Sequence, residues 1–228
     1  MNTFFKILII LSFFIMFSGF SENTEDKVKN IIHKILETDV KNKFLEANVT
    51  TYSKGYYKLG KKTDKLIEKR ISGKIIMKKP KKILFKVSES DDPMAVGSTL
   101  LYLGGKEIKI KPGGAFSFMR LNYNIDDPIF LNSRNHKFTF DGLGAVKHRD
   151  AKAELIGENE INHKKVYILK VVSPTKADPE ITHEIYKIDA QSFVVLSIRM
   201  YVNNDMVSEY TIRDINNKLN DSEELFKL

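Results

Sequence analysis

Between residues 181 and 214 apolar and polar positions alternate with a period of two, broken twice by short polar clusters. In the central run, 194–202, Val194, Leu196, Ile198, Met200 and Val202 fall on one side, with Ser197 and Arg199 on the other. A half-buried strand uses that period and a helix does not. Asp189-Ala190-Gln191-Ser192 and Asn203-Asn204-Asp205 supply turn chemistry, because Asn and Asp tolerate left-handed backbone and bond their own main chain. Three antiparallel strands joined by two short turns are predicted here.

The N-terminal pattern is different. Over 22–46, Val28, Ile31, Ile32, Ile35 and Leu36 recur at three- and four-residue steps, with Phe44 and Leu45 at the far end. This spacing predicts an amphipathic helix with one apolar stripe, suited to lying on a sheet. Glu25 and Asp26 in its first turn oppose the helix dipole.

From about Thr50 the period shortens again. Strands are expected over 51–59 and 66–79 around a Gly60–Asp64 loop, then over 83–88, 100–103 and 107–111, with Gly104-Gly105 as a hairpin turn. Phe116, Phe118, Met119 and Leu121 read as a short apolar strand. Asp127-Pro128 reads as the start of a short helix carrying Ile129, Phe130 and Leu131, and 141–150 as another. Strands resume over 154–157 and 165–172. The class is α+β, mainly antiparallel β: a curved sheet, a long N-terminal helix and short helical inserts over its concave face.

Residues 1–21 change where this fold is expected to work. Lys6, the apolar run Ile7–Phe17 and the small residues Gly19 and Ser21 form the pattern of an export signal cleaved after about Ser21. The run is shorter than the ~20 residues a spanning helix needs. Residues 22–228 then form one periplasmic domain, expected to be monomeric. The chain has no cysteine, so packing alone must stabilise it and no lipid can be attached at a junction cysteine.

The net charge of +8 favours acidic head groups or anionic polymers as neighbours of an exported protein. Lys78-Lys79-Pro80-Lys81-Lys82 is the densest basic run, and a solvated strand end protected from pairing accounts for it equally well. Tyr52, Tyr56 and Tyr57 interleaved with Lys54 and Lys58 would suit base stacking, but the export signal argues against nucleic acid. His33, His136, His148, His163 and His183 show no metal-binding spacing, and no nucleophile elbow or phosphate loop is present. Neither an enzyme nor a cofactor or metal is expected. A secreted hydrolase would require titratable groups to converge in one pocket.

Two stretches carry a resemblance. One is Gly73-Lys74-Ile75-Ile76-Met77-Lys78-Lys79-Pro80, followed at once by Ile83-Leu84-Phe85-Lys86-Val87. The other is the closing order of Tyr186-Lys187-Ile188-Asp189, an apolar strand, a polar turn, Tyr210-Thr211-Ile212-Arg213-Asp214-Ile215, and a terminal Leu225-Phe226. With the leading helix, this resembles the periplasmic lipoprotein-carrier superfamily, the LolA/LolB-like proteins, and more closely an uncharacterised branch of it.

The resemblance implies a half-open β-barrel around an apolar cavity with a helical lid. Ile75, Met77, Phe85, Val87, Leu196, Ile198 and Met200 would line that cavity, and Ile129, Phe130 and Leu131 would contact the lid. Lys79 stands where the carrier has an Arg that holds the lid closed. It keeps the charge and loses the planar fork. The family's customary tryptophans are absent, since the chain has none.

The expected function is a non-enzymatic carrier or sensor that shelters the acyl chains of lipoproteins or another amphiphile. The alternative is an envelope protein–protein or regulatory module, with a membrane protein as partner and no lipid ligand. Each of the seven cavity candidates is equally consistent with plain packing under the helix.

Overall fold

The computed structural model describes residues 24–79, 82–134, 143–148, 151–161, 163–172, 180–217 and 223–228. Residues 1–21, expected to be an export signal, lie outside these, as do Pro80-Lys81, His136 and parts of the expected 141–150 helix.

Among the described residues one α-helix, α1 (Thr24–Lys41), precedes eleven strands. They are β1 (Phe44–Lys58), β2 (Lys61–Lys78), β3 (Lys82–Ser90), β4 (Thr99–Tyr102), β5 (Glu107–Lys111) and β6 (Leu121–Asn124), then β7 (Lys152–Ile161), β8 (Lys164–Val172), β9 (His183–Asp189), β10 (Val195–Val202) and β11 (Asp205–Asn216). All belong to one antiparallel sheet in the order β6-β5-β4-β3-β2-β1-β11-β10-β9-β8-β7. The first and last strands therefore meet at the centre, with Val49 opposite Ile212. Among the described residues the edge strands β6 and β7 do not pair with each other, and the curved barrel is half-open. This is the mainly antiparallel, half-open architecture expected.

The helix ends earlier than its apolar stripe suggested. Phe44 and Leu45 belong to β1, where Leu45, Ala47 and Val49 are buried at every second position and thus follow the strand period. The Gly60–Asp64 loop is instead a two-residue turn. Leu59 and Gly60 both have positive φ (50° and 76°), the backbone that joins twisted strands tightly. Phe116 and Phe118 do not enter a strand: Gly114–Phe116 is a 3-10 turn, and β6 begins at Leu121. The two other expected short helices are single 3-10 turns, Pro128–Phe130 and Gly144–Lys147. Gly73 sits where β2 and β3 shift register. A Cβ there would lie 2.2 Å from the Lys86 carbonyl oxygen, so only glycine allows that approach.

Strand β10 departs from simple alternation. Its pairing with β9 shifts between Val195 and Ser197, and the bulge absorbs Leu196. Val195 and Ile198 consequently face the same core, with Met200 packed against it, while Leu196 belongs to neither inner cluster. The one-sided row Val194–Leu196–Ile198 is corrected accordingly. A sequence pattern cannot see a one-residue insertion that resets the phase.

Two apolar clusters share the inner face. Val28, Ile31 and Ile35 of α1 pack on Leu169, Val171, Tyr186, Ile188, Val195 and Ile198. Each such aliphatic side chain contributes roughly 1.5–3 kcal/mol on full burial. The second cluster joins Leu45, Ala47, Val49, Ile75, Met77, Phe85 and Ile212. On the outer face the C-terminal segment sets Phe226, Leu225 and Leu228 against Ile76, Leu84 and Leu101.

Candidate functional site

The two inner clusters meet at the end of α1, and a narrow cleft of about 60 Å³ opens along the seam. Ile35 from the helix, Leu45 and Met77 from β1 and β2, and Val195 and Ile212 from β10 and β11 form its apolar walls. Thr38, Asp39, Asn42 and Lys79 form a polar rim. About 10–15 Å³ of such space is enough for one water, so the cleft as it stands has room for a few waters or a small apolar group. A long acyl chain requires the walls to part.

The rim is tied by exposed polar contacts: Thr38 donates to the Ser192 carbonyl (3.2 Å), Asn42 accepts from Asn217 (3.3 Å), and Lys79 reaches the helix end. The Lys79 backbone N–H donates to the Lys43 carbonyl (2.8 Å), which fixes the chain just beyond β2 beside the helix end. The Lys79 ammonium then donates to the Asp39 carbonyl oxygen (2.6 Å) and contacts the Asp39 carboxylate. A cation at a helix C-terminus is favoured by the dipole as well as by the carboxylate. Both side chains remain more than a quarter exposed, so the contact is worth at most about 1 kcal/mol. Such a tie holds a helix end and can be released.

A second contact holds a segment from 143 to 148 over the inner face of β9. Glu184, Tyr186 and Ile188 line that face at alternate positions. The Ala145 N–H donates to Glu184 Oε2 (2.8 Å), and the Val146 N–H donates to the Tyr186 hydroxyl (3.2 Å). That hydroxyl lies 3.0 Å from the Leu143 carbonyl oxygen and against the Glu184 carboxylate, its one proton serving either acceptor. Gly144 permits the approach: its φ is 51°, and a Cβ would fall 2.5 Å from the Tyr186 hydroxyl. Burial, reinforced by the Glu184 charge, raises the Tyr186 pKa well above its ordinary value, so the phenol stays neutral. The cluster acts as a clip that satisfies its own buried polar atoms.

The sequence-derived residues divide between the two cores. Ile75, Met77 and Phe85 are buried together with Val87 packed beside them, whereas Ile198 and Met200 belong to the helix-side cluster. Of the seven, Met77 lines the cleft. Lys79 does touch the helix. Ile129, Phe130 and Leu131 do not join it there: Ile129 is 43% exposed and Phe130 meets Tyr123 edge-on at 6.0 Å. Just beyond them Ser133 accepts from the Tyr57 N–H (2.9 Å) and bonds Ser53 (3.0 Å), towards the other end of β1.

Residues that the sequence reading missed are Ile35, Asp39, Leu45, Val195 and Ile212. Only Asp39 left a signal, as an acidic residue near a predicted helix end with a basic run to answer it. Among the described residues no cluster of three or more His, Asp or Glu is placed to hold a metal.

No family model matches the chain, and no curated protein matches it. Solved structures do. An uncharacterised conserved protein from Thermus thermophilus superimposes with a TM-score of 0.50 at 9% identity, covering 85% of this chain and 91% of that one. A LolA superfamily protein from Nitrosomonas europaea gives a TM-score of 0.38 at 12% identity, covering 88% and 97%. A putative outer membrane lipoprotein-sorting protein domain from Vibrio parahaemolyticus gives 0.44 at 11% identity, covering 86% and 94%. At these identities the likeness is one of fold.

Proposed function

We propose that this chain is an exported, non-enzymatic binding protein that takes up apolar chains along the seam between its two inner cores. The structure then corresponds to its closed state. One observation carries this reading: the apolar cleft lies where the two inner clusters adjoin, and its rim is held by a few exposed, releasable contacts at the end of α1, Lys79 with Asp39, Thr38 with the Ser192 carbonyl (3.2 Å) and Asn42 with Asn217 (3.3 Å). Lifting the end of α1 would separate Ile35 from Leu45 and Met77 without dismantling either sheet half. Each methylene then moved from water into the seam would contribute about 0.8 kcal/mol, enough for an acyl tail to offset the lost helix contacts. Lipoprotein acyl chains, or those of another amphiphile, are the ligand class that the sequence resemblance favours.

Native mass spectrometry of protein purified under non-denaturing conditions should reveal co-purified lipid, and a fluorescent fatty acid should bind and be displaced by oleate. Lys79→Met should raise uptake severalfold while costing less than about 1 kcal/mol of stability, since a partly exposed ion pair is lost and the stem is kept. Lipid-free protein, together with no fatty-acid binding by either wild type or Lys79→Met, would refute the reading and favour a protein-binding module.

A further inference from the structure

Two loops at one end of the barrel hold large apolar side chains in water. Strands β3 and β5 run in the same direction, so the connections after them, 91–98 and 112–120, emerge together. In the first, the Asp92 carboxylate accepts from the Met94 N–H (3.0 Å) and closes the Pro93–Ala95 turn. Met94 is left 74% exposed and Val96 40%. In the second, Phe116 is 50%, Phe118 80% and Met119 36% exposed.

The loops brace each other. A Cβ on Gly113 would lie 2.0 Å from the Val96 carbonyl oxygen, so the two backbones touch. The Ser98 hydroxyl accepts from the Gly113 N–H (3.1 Å), and Arg120 donates to the Ser117 and Met119 carbonyls (3.1 and 2.9 Å). Phenylalanine and methionine are thus held outward by an ordered backbone, the reverse of core building, and a clustered apolar surface of this kind marks an interaction site.

The occupant follows from shape and charge. The side chains project from two adjoining tips rather than lining a groove, which suits a deformable apolar medium better than a shaped partner. Directly below the tips, Lys86, Thr99 and Lys111 lie opposite one another across β3, β4 and β5. Arg120 adds a further cation. The nearby acids are Glu89, Asp91 and Asp92, of which Asp91 and Asp92 already accept backbone N–H groups from Arg70 and Met94. The whole chain carries +8.

We propose that loops 93–96 and 114–119 form an anchor for an anionic lipid surface. Met94, Phe116 and Phe118 enter the boundary between head groups and acyl chains, while Lys111 and Arg120 stay at the phosphates. This goes beyond the seam proposal, because docking on a bilayer and uptake of a lipid chain use opposite ends of the strands.

The chain has no tryptophan, so Phe118→Trp introduces a single local reporter. With vesicles of phosphatidylcholine and phosphatidylglycerol, its emission should shift to the blue and be quenched by lipids brominated high on the acyl chain. Leu103→Trp, in the hairpin at the opposite end of β4 and β5, should do neither. The local readout also separates loop contact from contact made by the apolar N-terminal run. Adding Met94→Ser and Phe116→Ser to Phe118→Trp should weaken partition at least about tenfold, the scale expected when exposed apolar area is lost from the anchor. Fatty-acid uptake and the thermal midpoint should be unchanged. The proposal is overturned if the reporter at 118 is silent, if position 103 responds equally, or if the serine changes leave partition intact. It is also overturned if the loops prove to be covered by a second copy, seen as a vesicle-free dimer that the serine changes dissolve.

Discussion

On the β7–β10 wing the inner face is closed by pieces brought from elsewhere in the chain. Helix α1 comes from the N-terminus and lies across strands that begin more than 100 residues later, and the 143–148 clip adds Ala145 and Val146. The β1–β6 wing has no helix among the described residues. Among the described residues its inner cluster is drawn from the strands themselves, and its outer face is covered by Phe226 and Leu228 from the far C-terminus. A wing closed by added parts can be opened by moving one part. A cluster built from hydrogen-bonded strands cannot be opened without breaking their pairing. The seam between them is therefore the place where binding and stability can be separated.

Changes that undo this contrast should rank by how much of the added covering they remove. Ile35→Ala empties a 1% exposed site between α1 and the sheet, at the cleft wall. It should cost about 3 kcal/mol in urea unfolding, the usual toll of a truncated core aliphatic. If the helix is the movable part, hydrogen exchange should speed in α1 and leave β2 and β3 protected. Uniform loss across both wings would erase the distinction.

Tyr186→Phe strips the clip of its hydroxyl and leaves the Val146 N–H without that acceptor. About 2 kcal/mol is expected, the cost of stranding a buried polar group. Proteolysis should then cut near 143–148 before any other site.

Asp189 should give the smallest effect. Burial pushes its pKa up, but the Ser192 backbone N–H, the Ser192 hydroxyl and the Gln191 N–H (2.7, 2.9 and 3.0 Å) outweigh this and hold it below its ordinary value. A depressed folded-state pKa stabilises the protein above the unfolded value, near 3.9, and that stabilisation is lost as pH falls through the folded value. Asp189→Asn should therefore flatten the acid limb of the stability curve below about pH 4. An unchanged acid limb would show that ionisation of Asp189 adds nothing to folding.

The strand order within each wing was largely legible, because each hairpin is local and its turn residues announce it. Asn203, predicted to tolerate left-handed backbone, has a φ of 56°. The resemblance pointed to Lys79, and the structure sets it on the helix end. The seam walls were hidden for a physical reason. Leu45 and Ile212 look like any other inward strand residue, and what makes them cleft-forming is the helix end arriving beside them. Leu196 was misplaced because a bulge changes phase without changing composition.

Periodicity and turn chemistry, which act between residues a few positions apart, were enough to determine a curved antiparallel sheet with one amphipathic helix. Which wing the helix covers, where the two cores adjoin, and that Lys79 meets Asp39 depend on contacts between distant segments. Those are set by the pairing of the first and last strands at the centre of the open sheet, and no local pattern encodes them.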